Sequence, residues 1–265
     1  MQNLRVSIVQ GATVWHDPDA NRAYYGGLIA PLRGETDLVV LPETFTSGFS
    51  NDAIDRAEDM RGPTVAWMRE QAAALDAAVT GSVQLRDGEA VYNRMLWATP
   101  DGRVEHYDKR HLFRYANEHK RYAAGRDRLT VEWRGWRINP QVCYDLRFPV
   151  FCRNRYDVER AGHLDFDLQL FVANWPAARA YAWKTLLRAR AIENLCFVVG
   201  VNRVGTDGNG IAYSGDSAVL DFLGQPLSAC TDAEAVTTTT LQAAELAAHR
   251  ERFPAMLDAD RFELR

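Results

Sequence analysis

Three residues whose types can do chemistry stand directly behind strand-like runs in this chain. Glu43 follows the apolar run Asp37–Leu41 and the Pro42 that ends it, Lys109 follows Val104–Tyr107, and Cys143 falls at the end of Trp136–Val142. In α/β sheets, strand ends are where ligand crevices form, so a glutamate, a lysine and a cysteine could meet there in one pocket. Acyl transfer needs a nucleophile, a base to take its proton, and a positive or hydrogen-bonding group where the tetrahedral oxyanion develops. These three side chains can fill the roles with no metal and no organic cofactor. Taken singly, each also has a plainer reading. A cysteine at a strand end is commonly a small core residue. Lys109 beside Arg110 and His111 could be a solvated loop charge, Glu43 could cap the turn after its strand, and Glu118 could pair with Lys120 or Arg121 on the surface.

The elements that must position these residues alternate between strand and helix patterns. Leu4, Val6 and Ile8 alternate with polar neighbours as in a half-buried opening strand, whereas Asp37–Leu41 is continuously apolar after its first residue, as in a strand covered on both faces. Gly62-Pro63-Thr64 predicts a helix start, with Val65, Met68, Ala72 and Leu75 on its inner face. Strands are predicted near Ala78–Gln84 and Val91–Thr99, then at Val104–Tyr107 after the turn Pro100-Asp101-Gly102. Pro140 within Trp136–Val142 implies an edge, a bulge or a late start. Leu168–Ala173 reads as a buried strand and Ala177–Asn194 as a helix, with Trp183, Leu187 and Ala191 at four-residue spacing before a strand at Cys196–Asn202. Val204–Gly210 has hairpin-loop chemistry, with Ser217–Asp221 and Thr237–Leu241 expected as later neighbours in that sheet and Ala243–Arg252 as a closing helix before Pro254. Asp37–Leu41 and Asp167–Val172 echo one another as Asp-led strands, which suits two similar sheet layers.

The composition, 265 residues with 47% hydrophobic and 25% charged, is that of an ordinary globular protein, and no Gly/Ser-rich or Pro-rich linker divides it. A single α/β domain over residues 1–265 is therefore expected. The net charge of −4 argues against a nucleic-acid partner, and the basic clusters Lys109-Arg110-His111 and His119-Lys120-Arg121 are too small to overturn that. Met1–Val6 lacks the basic start and long apolar run of a secretory signal, and no span is apolar enough to cross a bilayer, so a cytoplasmic protein without a membrane partner is expected. Cys143, Cys152, Cys196 and Cys230 lie far apart with no C-x-x-C pair, which suggests reduced thiols rather than a zinc site or a disulfide framework.

The segments around the three candidates resemble the nitrilase superfamily of carbon–nitrogen hydrolases. They are Leu41-Pro42-Glu43-Thr44-Phe45-Thr46-Ser47-Gly48-Phe49, then Tyr107-Asp108-Lys109-Arg110-His111-Leu112-Phe113, then Val142-Cys143-Tyr144-Asp145-Leu146-Arg147-Phe148-Pro149. Three motifs in the family's order are joined by lesser matches at Val172-Ala173-Asn174-Trp175-Pro176, Arg188–Asn194 and Asn202-Arg203-Val204-Gly205, so the likeness spans nearly the whole chain. The resemblance implies a four-layer α-β-β-α sandwich, assembled as a homodimer or higher homo-oligomer, with Glu43, Lys109 and Cys143 as the catalytic triad. It also implies Glu118 as a second glutamate that orients Lys109 or the incoming amide. In the mechanism that follows, Lys109 is expected to lower the Cys143 pKa from the roughly 8.5 of a free thiol, while Glu43 takes the proton. Lys109 and the backbone N–H of Tyr144 would hold the oxyanion, and a thioester on Cys143 would be hydrolysed by water that Glu43 activates.

Within the superfamily, Cys143–Pro149 looks like the amidase branches, since nitrile hydrolases usually carry Trp-Glu after the cysteine. The combined pattern is similar to bacterial omega-amidases, which act on 2-oxoglutaramate and 2-oxosuccinamate. A dicarboxylic monoamide needs a cation at the far end of its pocket, and Arg147 could bind the carboxylate bidentately or could pair with Asp145 or another structural acid; both readings stay open. Arg203 is a second candidate cation, and Trp175 and Phe49 could wall the pocket. The rivals are an N-carbamoyl amino acid hydrolase or other aliphatic amidase, a non-catalytic scaffold of the same fold, and a papain-like protease pairing Cys143 with a histidine such as His163.

Overall fold

The computed structural model describes residues 1–157 and 163–264. In chain order its strands are β1 (Leu4–Gln10), β2 (Leu38–Val40), β3 (Ala78–Asp87), β4 (Ala90–Ala98), β5 (Val104–Asp108), β6 (Val131–Trp133), β7 (Trp136–Val142), β8 (Tyr156–Asp157), β9 (His163–Leu164), β10 (Leu168–Ala173), β11 (Phe197–Asn202), β12 (Val204–Thr206), β13 (Ala212–Ser214), β14 (Ala218–Leu220), β15 (Pro226–Ala229) and β16 (Ala235–Leu241). The α-helices are α1 (Pro18–Ile29), α2 (Pro63–Leu75), α3 (Pro149–Cys152), α4 (Ala180–Asn194) and α5 (Ala243–Arg252). Two six-stranded sheets, ordered β16-β1-β2-β3-β4-β5 and β15-β14-β11-β10-β7-β6, hold the molecule together.

The residue pattern explains why the sheets stack and why helices cover them. Side chains alternate between the faces of a strand, so a strand buried on both sides reads as a continuous apolar run. In β2, Leu38 and Val40 join the core between the sheets, while Val39 and the following Leu41 join the core under α1 and α2. The inter-sheet core sets Val6, Ile8 and Trp97 of one sheet against Trp136, Ile138, Leu170 and Val199 of the other. On the far side of the second sheet, Phe171, Ala173 and Val198 pack against Trp183, Leu187 and Ala191 of α4. The layers are therefore α-β-β-α, as the resemblance implied.

Several local expectations meet the structure differently. Thr237–Leu241 is not a neighbour of the 217–221 strand: β16 crosses to the first sheet and runs antiparallel to β1, with Leu4 opposite Leu241 and Ile8 opposite Thr237. A run of four threonines, Thr237–Thr240, fits the edge of either sheet, so only the path of the chain after β15 decides. The predicted helix at Ala177 begins with a 3-10 turn over Ala177–Arg179, and α4 proper starts at Ala180. Pro140 sits where β7 has become an edge, because β6 pairs with it only as far as Ile138 while β10 continues on the other side. The two Asp-led strands, β2 and β10, lie in different sheets with matching clamps. Asp37 accepts from Arg5 and Arg134, and Asp167 accepts from Arg137 and Arg250. Among the described residues no helix is long and apolar enough to cross a membrane.

The contact between β11 and α4 leaves no room for a methyl group at Gly200, where an added Cβ would lie 2.5 Å from Leu187 Cδ1. Gly200→Ala should lower unfolding stability by about 1–3 kcal/mol in urea titration, as overpacking of a filled core does. Gly27→Ala in α1 meets nothing within 4 Å and should be neutral or stabilising by up to about 1 kcal/mol.

Candidate active site

All three strand-end residues converge at one end of the sandwich. The Lys109 ammonium donates to Glu43 Oε1 at 2.9 Å and to both oxygens of Glu118 at 3.0 Å, and all three side chains are buried. The rest of the Glu43 carboxylate is also engaged. Oε1 accepts from Asn93 Nδ2 at 2.8 Å, and Oε2 accepts from the backbone N–H of Asn174 at 2.7 Å. Glu118 accepts further from Phe113 N–H at 2.6 Å and from Asn93 Nδ2 at 3.4 Å, so its oxygens face protein donors and the geometry favours orienting Lys109 over receiving an amide. An ammonium has three protons; with one on Glu43 and one shared between the two equidistant oxygens of Glu118, the third is left for the cavity that Lys109 also lines.

Cys143 opens a 3-10 turn over Cys143–Arg147 directly after β7, and its backbone is left-handed, with φ of 46°. That conformation costs a non-glycine residue roughly 1–2 kcal/mol and persists only where its surroundings fix it. Here the fixing group is Asp145, a buried carboxylate that sequence reading had offered only as a partner for Arg147. Asp145 Oδ2 accepts from Val142 N–H at 3.1 Å and from Tyr107 Oη at 2.8 Å. Its Oδ1 accepts from His111 N–H at 2.9 Å and lies 2.7 Å from His111 Nδ1. His111 is in turn stacked on Phe148, with centroids 3.7 Å apart. One carboxylate thus ties the backbone on both sides of Cys143 to the loop that carries Lys109. Tyr144 follows Cys143 in the first turn, where backbone N–H groups have no partner inside the helix.

Burial holds the Cys143 thiol well above its usual pKa, and the neighbouring Glu43 pushes it the same way, outweighing the opposite pull of Lys109. Lys109 does pull this pKa down, as expected, but the net fall below the ordinary thiol value does not follow. Two carboxylates already face one ammonium, so a third negative charge is disfavoured there. Lys109 itself loses by desolvation but gains more from Glu118 and Glu43, and it stays charged. Burial also raises Glu118, against the pull of Lys109.

A cavity of about 440 Å³ opens above Cys143 and Lys109, within the usual range for a small-molecule site. Phe49, Tyr144, Arg147, Asn174 and Trp175 line it, together with Phe113, Tyr115, Arg179, Ile211 and Tyr213, which sequence reading did not single out. Arg147 has no carboxylate partner among the described residues and lies over the Trp175 ring, 4.8 Å from its centroid. Pairing with Asp145 is therefore not what Arg147 does. Arg203 is not part of the lining. It is buried behind Tyr213, donating to the carbonyl of Thr13, with its guanidinium 4.9 Å from the Tyr213 ring centroid. The signal for Asn93 was available as a polar residue inside the apolar strand Val91–Thr99, whereas Asn174 was visible only as part of a motif. The side chain of His163 lies outside the described residues; the acceptor beside the thiol is Glu43.

A thiol held protonated should show no thiolate absorbance at neutral pH. The ultraviolet difference between wild type and Cys143→Ala is expected to appear only above the ordinary thiol pKa of about 8.5. A thiolate signal already present below neutrality would contradict the electrostatic reading.

Residues 5–251 match the carbon-nitrogen hydrolase family. The chain is 46% identical to omega-amidase YafV of Yersinia enterocolitica over 100% of both proteins, and 33% identical to 2-oxoglutaramate amidase of Bacillus subtilis over 84% of each. Among solved structures it superposes with a TM-score of 0.99 on a CN-hydrolase superfamily protein of Xanthomonas campestris, at 74% identity and over 100% of both chains; that protein carries an arsenic adduct in its active site. With two sheets flanked by helices and the family's match running across them, the chain belongs to the carbon-nitrogen hydrolase family.

Proposed function

We propose that this chain is an omega-amidase that hydrolyses the terminal amide of a 2-oxo dicarboxylic acid monoamide, such as 2-oxoglutaramate or 2-oxosuccinamate, to the acid and ammonia. The observation that carries the choice of substrate is Arg147, a cation without a carboxylate partner among the described residues, mounted on Trp175 in the wall of the cavity whose floor holds Cys143. A guanidinium fork in that position suits the far carboxylate of such an amide. The omega-amidase and 2-oxoglutaramate amidase relatives support the same reading.

In the proposed reaction the amide carbon lies against Cys143 Sγ. Glu43 takes the thiol proton as the sulfur attacks, so a charge moves within the cluster while its total stays the same. The oxyanion is met by the free proton of Lys109 and by the Tyr144 N–H, contacts of a kind worth roughly 3–4 kcal/mol in a transition state. Glu43 returns its proton to the nitrogen, ammonia leaves, and the acyl group remains as a thioester on Cys143. A water then gives a proton to Glu43 and attacks the thioester. Collapse releases the acid, and the proton goes back to the sulfur. Asn93 and the Asn174 N–H fix the carboxylate that makes these transfers.

Ammonia release should be greatest with the two oxo-amides in a panel that includes an N-carbamoyl amino acid and a simple nitrile, and Cys143→Ala should be inactive while remaining folded. Substantial activity in that variant would remove Cys143 as nucleophile. Arg147→Ala should raise KM for 2-oxosuccinamate about 10- to 100-fold, the scale of losing one charged partner, and leave an uncharged short amide little changed. Equal losses on both substrates would remove Arg147 from recognition.

A further inference from the structure

The same cavity holds a second guanidinium that the proposed reaction does not use. Arg179, at the end of the 3-10 turn before α4, lies over the Phe113 ring at 5.3 Å and the Tyr115 ring at 5.9 Å. Like Arg147, it has no carboxylate partner among the described residues. The two cations are mechanically linked, because Trp175, which underlies Arg147, donates its indole N–H to the carbonyl of Arg179 at 2.9 Å. Among the described residues, those lining the cavity include Lys109, Arg147 and Arg179 and no aspartate or glutamate.

This arrangement is more than one carboxylate requires. The acid end of a 2-oxo amide presents three oxygens on adjacent carbons, two from the carboxylate and one from the keto group. A guanidinium fork engages two acceptors at once, so a second cation can serve the third. The corresponding 2-amino acid amide, glutamine or asparagine, carries an ammonium where the keto oxygen stands. A guanidinium has no acceptor for that ammonium and repels it, and no acid in the lining offsets the repulsion.

Resting on the omega-amidase reading, we infer that Arg179 is a specificity-determining residue that makes the cavity choose 2-oxo amides over 2-amino amides, with Arg147 holding the carboxylate. The aromatic faces of Phe113 and Tyr115 keep its guanidinium in place, so the discrimination is built into the free protein.

The test compares kcat/KM for 2-oxoglutaramate, glutaramate, which has a methylene in place of the keto group, and glutamine. Arg179→Met keeps the apolar stem against the two rings and removes the charge; Arg179→Lys keeps the charge and serves if the methionine variant is unstable. Arg179→Met should lose at least about tenfold on 2-oxoglutaramate, the scale expected when a polar contact to a substrate oxygen is removed, and about threefold or less on glutaramate. Glutamine should be unchanged or improved, and Arg179→Lys should keep most of the selectivity against glutamine. Equal losses on all three substrates, or an unchanged ratio of 2-oxoglutaramate to glutamine, would overturn the role of Arg179 while leaving the omega-amidase reading intact. A wild-type protein that does not prefer 2-oxoglutaramate to glutamine would instead overturn that reading, and the inference with it.

Discussion

The buried ammonium of Lys109, held between Glu43 and Glu118, is the interaction around which this molecule is arranged. Removing charges from water is tolerated only when geometry and hydrogen bonding compensate, and leaving one member of such a cluster without its partner typically costs about 3–5 kcal/mol. The compensating groups come from both sheets. Glu43 and Lys109 follow strands of the first, and Asn93 lies within its β4. Asn174, whose backbone caps the Glu43 carboxylate, follows β10 of the second. Its side chain also donates to the Glu43 carbonyl and to Thr44 Oγ1, so the polar cluster fixes how the sheets meet at this end. The apolar core between them supplies association without direction, and the polar end supplies position.

Cys143, the proposed nucleophile, is held by a different device. Cys143 adopts a left-handed backbone that its residue type disfavours, and the Asp145 carboxylate keeps it there by gripping Val142, Tyr107 and His111 together. Because Tyr107 and His111 flank Lys109, the sulfur and the ammonium are positioned by one group. Electrostatics then give the resting site its character. Burial above all, reinforced by the neighbouring Glu43, keeps the thiol protonated, so in the proposed reaction nucleophilic sulfur is made only as Glu43 accepts the proton. This limits the idle reactivity of a cysteine that opens onto a cavity.

Much of this was legible in the sequence. The alternation of strands and helices, the positions of Glu43, Lys109 and Cys143 behind their strands, and the motifs around them suffice for the four layers and the candidate triad. What was not legible shares a physical cause, dependence on contacts distant in sequence. The threonine pattern of β16 fits either sheet, and its pairing with β1 is decided by chain path. Arg147 and Arg203 are the same residue type, each within a family-like motif, yet one lies on a ring in the cavity and the other is buried behind Tyr213. The direction of the Cys143 pKa could not follow from Lys109 alone, because burial and the nearby Glu43 exceed its effect. Arg179 carried no motif; its interest comes from sharing a cavity with Arg147.

The covalent step is the centre of the proposed chemistry, and the direct measurement is mass analysis of the protein quenched during turnover of 2-oxoglutaramate. An acyl adduct equal to the substrate less ammonia should appear and map to the peptide containing Cys143, on a time course matching the first release of ammonia. Turnover with no adduct on that peptide, or an adduct that forms equally in Cys143→Ala, would contradict the thioester mechanism and the role given to every group around it.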